Sequence, residues 1–283
     1  MGLNILHAVL LGAVEGITEF LPISSTGHLT ILENLLGYRI NDPAITAFTA
    51  IIQSGAVIAT VIFLRADIWR IITGWVRGLT NAEHRTSQDY RFGWAVILGS
   101  LPIGVVGLTF KDEIETTLRS LWFVAGALIL WSAVMAFADH AATQVRHEED
   151  VTWKDTLVIG LVQCLALIPG ISRSGATMSA GLLRDLDRVT VTKLSFFLSI
   201  PALLGATVLQ TVSEFDNISA DNGGVGWPAT ITATVVSFIV GYAAVAWLLK
   251  FIAKHSYSVF IIYRLVLGSI LLALLATGTI SST

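Results

Sequence analysis

Two stretches of this chain are copies of one another, and both break an apolar segment with polar residues. Gly12-Ala13-Val14-Glu15 through Ile23-Ser24-Ser25-Thr26-Gly27 aligns without a gap with Gly160-Leu161-Val162-Gln163 through Ile171-Ser172-Arg173-Ser174-Gly175, at a constant offset of 148 residues. Gly12/Gly160, Val14/Val162, Ile23/Ile171, Ser24/Ser172 and Gly27/Gly175 are identities. Matching interruptions in two halves of a membrane protein place a binding site at the interface of the repeats. These interruptions carry Glu15, Glu19, His28, Arg173 and a run of hydroxyls. That is more polar chemistry than a structural break needs.

The surrounding chain is built for a bilayer. It is 54% hydrophobic and only 13% charged, where soluble domains carry about 25% charged residues. Spanning hydrocarbon as a helix takes about 20 apolar residues. Residues 44–64, 92–110, 119–138, 190–212, 228–250 and 258–277 meet that length. The runs 156–168 and 171–183, split by Pro169-Gly170, are each too short to span and read as a re-entrant hairpin. The repeat partner covers 3–21 and 24–36, split near Pro22. Its first arm is long enough to cross, so there the repeat alone argues for a hairpin. The fold class is therefore an all-α polytopic membrane protein in one domain, 1–283. Repeat 1 covers about 3–64 and repeat 2 about 151–212. The single cysteine, Cys164, excludes an intrachain disulfide. The first residues lack the basic region of a signal peptide and the hydroxyl of a myristoylation motif.

Basic residues set an orientation. Loop 65–91 carries Arg65, Arg70, Arg77, Arg85 and Arg91, whereas loop 213–227 has Glu214, Asp216 and Asp221 and no basic residue. The positive-inside rule puts the first in the cytoplasm and the second outside. Segment 44–64 then runs inward and its partner 190–212 outward, so the repeats are inverted. The two hairpin tips should meet near the middle of the bilayer. The charge run 146–155 reads as a cytoplasmic loop, and Trp69, Trp75, Trp122, Trp153 and Trp227 as an interfacial belt.

Glu15 and Glu19 are spaced i, i+4 and share one helix face. A charge at membrane depth costs at least ~2.5–3.5 kcal/mol. Two like charges there call for a cation, a proton or an arginine. Ser24-Ser25-Thr26-Gly27-His28 follows Pro22 and opens the next helix. One hydroxyl would suffice as an N-cap. Three hydroxyls and a histidine on a helix N-terminus suit an anion, and Gly27 lets it approach the backbone. Ser172-Arg173-Ser174-Gly175 repeats the design with a guanidinium, which matches a phosphate bidentately. Thr177 adds a hydroxyl one turn on. Gln163 is expected to hydrogen-bond its hairpin, Gln53 to line the cavity or bond a neighbouring helix, and Arg264 to support the site. Together these groups describe an anion site able to perform hydrolysis, with a phosphate or diphosphate as the natural anion. Glu15 or Glu19 would hold a divalent cation. Ser25 and His28 both stand as candidate nucleophiles, and His28 also as a base that activates a serine or water. A carrier for an anion or phosphorylated lipid would use the same inverted frame.

The two motifs, Glu15-x-x-x-Glu19-Phe20-Leu21-Pro22-Ile23-Ser24-Ser25-Thr26-Gly27-His28 and Pro169-Gly170-Ile171-Ser172-Arg173-Ser174-Gly175-Ala176-Thr177, resemble those of the bacterial undecaprenyl-diphosphate phosphatases, the bacitracin-resistance proteins. The resemblance extends to Ile262-Tyr263-Arg264. It implies hydrolysis of undecaprenyl diphosphate to the monophosphate, the lipid carrier of cell-wall synthesis. The implied metal ligands are Glu15 and Glu19, for Mg²⁺ or Ca²⁺. The implied catalytic set is Glu15, Glu19, Ser25, His28 and Arg173, with Ser24, Thr26, Gly27, Ser172, Ser174 and Thr177 on the substrate. It further implies a multi-pass protein of the bacterial inner membrane, with the site facing outside and an apolar interhelical groove for the prenyl tail. Membrane lipids are partners, nucleic acid is not, and a homodimer is allowed.

Overall fold

The computed structural model describes residues 3–39, 42–110, 120–218 and 225–281. Among these, every regular element is helical. The helices are α1 (Ile5–Thr18), α2 (Ser25–Leu35), α3 (Pro43–Phe63), α4 (Arg65–Thr80), α5 (Gln88–Thr109), α6 (Leu121–Ala141), α7 (Trp153–Gln163), α8 (Arg173–Leu182), α9 (Arg188–Ser213), α10 (Phe215–Ile218), α11 (Trp227–Ile252) and α12 (Ser258–Ala276). Six of them, α3, α5, α6, α9, α11 and α12, are long and apolar enough to cross a membrane. They match the six expected spans to within a few residues. The chain is a multi-pass membrane protein.

The arms α1–α2 and α7–α8 are the two expected hairpins. α1 has 14 residues, so it ends well short of a full crossing. A 3₁₀ turn, Cys164–Leu167, carries α7 into the Pro169-Gly170 tip. The arms are placed by close helix approaches at repeat-equivalent glycines. A side chain on Gly12 would strike the Ala233 carbonyl of α11, and one on Gly160 the Gly99 carbonyl of α5. α11 thus holds the first hairpin as α5 holds the second, and α6 packs on both α2 and α8.

Two regions read from sequence as loops carry more structure. Residues 65–91 contain α4, which exposes Trp69, Ile72, Val76 and Leu79 along one stripe and buries Ile71 and Gly78. An amphipathic helix with arginines on its polar face lies in a membrane interface. Mean apolarity of that segment is low, which hides it from a search for spans. The charge run 146–155 is likewise not simply solvated. Asp155 caps α7 and is fully buried, accepting from Arg146 (3.0 and 2.7 Å), Arg184 Nε (2.9 Å) and the Thr152 hydroxyl (2.7 Å). Burial opposes ionisation, yet these donors hold the carboxyl well below the usual carboxylate range. A carboxyl depressed in the folded state stabilises the fold above its unfolded pKa of ~3.9 and stops doing so as pH falls through the lower folded value. Asp155→Asn should therefore cost stability near neutral pH. The expected loss is about 2–3 kcal/mol, below the ~3–5 of a wholly buried pair because the arginines can rehydrate. Thermal unfolding in detergent at pH 7 measures it.

Candidate active site

The hairpin tips meet. Ser174 Oγ donates to the Leu21 carbonyl across the repeat interface at 2.8 Å. Ser24 and Ser172 have the same backbone, both at φ 76°, a left-handed conformation that only a surrounding structure imposes on a serine. Each caps the helix that follows, Ser24 accepting from the Gly27 amide and Ser172 from the Gly175 amide, both at 3.2 Å. The residues after the two caps, Ser25 and Arg173, are also repeat equivalents. They converge on one carboxylate: Arg173 Nη2 pairs with Glu19 Oε1, and Ser25 Oγ donates to Glu19 Oε2. The expected meeting of guanidinium, acid and hydroxyl is a direct contact.

Glu19 and Glu15 are nearly fully buried, and Glu15 Oε1 has no hydrogen-bond partner. The buried Arg173 Nε–H also lacks one. Two cavities share this centre. The smaller, about 230 Å³, is lined by Glu15, Glu19, Ser25, Thr26, Thr30 and Glu33 among others, and none of its described lining residues is basic. The larger, about 1250 Å³, holds Glu19, Ser24, Ser25, Thr26, Ser172 and Arg173 at its polar end. It then continues between α5 and α9 over an apolar wall. Gln53 lines both cavities.

The other sequence candidates lie around this centre. His28 lines neither cavity. Its Nδ1 lies 2.7 Å from the Ser24 carbonyl, its Nε2 lies 2.6 Å from the Tyr263 hydroxyl, and its ring stacks on Tyr263. The carbonyl accepts only, so Nδ1 carries a proton, and in the neutral ring Nε2 accepts from Tyr263. Thr177 Oγ1 lies 2.6 Å from Ser195 Oγ and ties α8 to α9. The space at Gly27 faces Val124 of α6 and Ser24. Gln163 differs from expectation: it is buried with neither amide atom hydrogen-bonded. Arg264 is fully buried, and its guanidinium reaches the Gly170 carbonyl (3.0 Å), the Pro22 carbonyl (3.4 Å), the Leu128 carbonyl (3.4 Å) and Ser132 Oγ (3.1 Å). Sequence reasoning missed Glu33, buried on the wall of the smaller cavity. A lone acid inside an apolar arm is a sufficient signal, but its position near the end of α2 reads as a surface location.

The sequence has relatives of high identity. A family model, bacitracin resistance protein BacA, matches residues 8–270. The chain belongs to this BacA family. It is 71% identical over 281 residues to undecaprenyl-diphosphatase 3 of Frankia casuarinae, covering 99% of this chain and 100% of the relative. It is 54% identical over 284 residues to the undecaprenyl-diphosphatase of Cutibacterium acnes, covering 99% of this chain and 100% of that one. With undecaprenyl-diphosphatase 1 of Streptomyces avermitilis the identity is 50% over 280 residues, 99% of both chains. BacA relatives therefore align along essentially the whole chain, both hairpins included.

Proposed function

We infer that this BacA-family chain hydrolyses undecaprenyl diphosphate to undecaprenyl phosphate and inorganic phosphate, recycling the lipid carrier of cell-wall synthesis. One observation carries the reading: Ser25 and Arg173 share the Glu19 carboxylate at the mouth of a long apolar groove. A diphosphate entering that end offers Arg173 a better partner than Glu19, since its oxygens can take the guanidinium fork and the unpartnered Nε–H together. Glu19 is thereby released to act as base. It accepts the Ser25 proton as Oγ attacks the outer phosphorus. The bond from that phosphorus to the bridging oxygen breaks, and undecaprenyl phosphate leaves. Once undecaprenyl phosphate has carried that proton away, the restored Glu19 carboxylate deprotonates a water that attacks the phosphoserine, and Glu19 returns this proton to Ser25 Oγ as inorganic phosphate leaves. Arg173 and the N-termini of α2 and α8 stabilise the charge that builds on the equatorial oxygens. His28 serves as a buttress, holding the Ser24 carbonyl and Tyr263.

The donor set suits a hard divalent cation, Mg²⁺ or Ca²⁺. Glu15 Oε1 is an orphaned carboxylate oxygen on a cavity wall that also bears Glu19, Glu33 and threonine hydroxyls, and such cations take oxygen ligands. Glu15, and the Glu19 oxygen that Arg173 leaves, would hold the ion while the other Glu19 oxygen serves Ser25, and the ion would supply neutralising charge beside the diphosphate. The membrane in question is the bacterial inner membrane. The arginine-rich α4 side faces the cytoplasm, the repeats are inverted, and the site opens outward.

Purified protein in detergent tests the reading. It should release phosphate from undecaprenyl diphosphate, and a chelator should stop it until Mg²⁺ or Ca²⁺ is restored. A carrier without hydrolase activity would release none, because transport needs two compartments. Substrate length is read in the groove, whose volume exceeds the ~300–1000 Å³ of ordinary ligand pockets. Gly104 and Gly205 lie on its wall with open space where a side chain would stand. Gly205→Trp should raise KM for the undecaprenyl substrate at least tenfold and leave farnesyl diphosphate turnover within about threefold of the parent (a loss of ~1.4 kcal/mol per tenfold).

A further inference from the structure

We propose that Arg264 is the positioning residue that holds the two hairpin tips in register, so that Ser25 and Arg173 meet on Glu19. The proposal rests on the hydrolase reading only for its kinetic arm. Its first support is symmetry. The carbonyls gripped by Arg264 belong to Pro22 and Gly170, which are repeat equivalents at the same offset that relates Gly12 to Gly160. One side chain, from outside either hairpin, thus sits where the two copies of the motif come together.

The second support is the character of the contacts. Arg264 is wholly buried, and its four hydrogen-bond acceptors are three carbonyls and one hydroxyl. No carboxylate lies among them. A buried charge is costly unless its donors are satisfied. Here the planar fork is satisfied by the backbone of both tips on one side and by Leu128 and Ser132 of α6 on the other. Ser132 donates its own proton to the Leu128 carbonyl at 2.6 Å, which leaves its oxygen to accept from Arg264 Nε. Gly268, one turn beyond Arg264, meets Ala125 and Leu128 of α6, so α12 lies close enough to α6 for the guanidinium to be fixed there.

The third support is what each gripped carbonyl precedes. Two residues after Pro22 comes Ser24, and two after Gly170 comes Ser172, both in the left-handed region. Such a conformation on a non-glycine residue is unfavourable and persists only where neighbours enforce it. Anchoring the preceding carbonyls is one such enforcement. It fixes the caps of α2 and α8, and the residues that follow the caps are Ser25 and Arg173. A lysine cannot replace this, because a single ammonium lacks the flat, divergent fork that reaches both tips and α6 together.

Arg264→Lys and Arg264→Met, purified in detergent, test the assignment by two routes. In turnover assays kcat should fall at least 10-fold for the lysine variant and at least 100-fold for the methionine variant, with KM within threefold of the parent. In hydrogen–deuterium exchange, peptides covering both tips, 19–27 and 167–175, should gain exchange at least fivefold together in the lysine variant, while peptides from α3 and α11 keep theirs. A lower melting temperature with unchanged kcat and quiet tips would overturn the proposal, as would loosening of one tip alone. The exchange measurement needs no activity. If the parent protein releases no phosphate, the hydrolase reading fails while the exchange result still decides the role of Arg264.

Discussion

Arg173→Ala is expected to lower phosphate release by at least ~10³-fold, the scale associated with arginines that stabilise phosphoryl transfer. Three features set this size. The guanidinium is mostly buried, so its charge is weakly screened. Among the described residues it is also the only basic side chain at the polar end of the groove. And its Nε–H is unspent in the resting state. Alanine removes all of this and leaves Glu19 buried without its cationic partner, so the variant should also melt at lower temperature. Arg173→Lys separates the two effects. It restores a charge near Glu19, and hence stability, but lacks the fork, so kcat should stay depressed by more than tenfold. Phosphate release and thermal unfolding on the same preparations read both. Near-normal kcat in Arg173→Ala would remove the arginine from the chemistry.

Ser25→Ala should be as severe, on the order of 10⁴-fold or more, because a nucleophile's loss disables the groups that act with it. The parent, quenched in acid during turnover of substrate labelled on its outer phosphate, should carry label on Ser25, and Ser25→Ala should carry none. His28→Ala provides the contrast. Both of its ring nitrogens are engaged away from the cavities, so the variant should keep the phosphoserine and at least a tenth of kcat. Label on histidine, or full activity in Ser25→Ala, would transfer the attack to another group.

The architecture could be read from the residues because bilayer physics leaves few choices. Apolar runs of spanning length had to be helices, and the short runs beside Pro169-Gly170 could not cross. The convergence of Arg173 with Glu19 and Ser25 followed from the repeat, since duplicated motifs in a closed protein must find one another. The remaining features were invisible for identifiable reasons. α4 is amphipathic and has no apolar run to detect. Asp155 looked solvated because Arg146 reads as part of the same charge run while Arg184 lies far along the chain, and only folding closes both onto one buried carboxylate. The directions of the His28 and Thr177 side chains turned on rotation about a helix axis, which a motif does not specify. Arg264 was legible as an anomaly, a charge within a span, but its four partners come from α6 and both hairpins, and no local pattern could have named them.

The groove between α5 and α9 has one more implication. Several residues on its wall, Leu101, Leu108 and Val208 among them, are more than half exposed on the outside of the bundle, the surface that acyl chains would bathe. A ligand therefore arrives sideways, by two-dimensional diffusion, without passing through water. The quantity that governs occupancy is then mole fraction within the lipid or micelle phase, and dilution with inert detergent should slow the protein even at constant bulk molarity. Competitors will be ranked by how well they partition as much as by how well they fit.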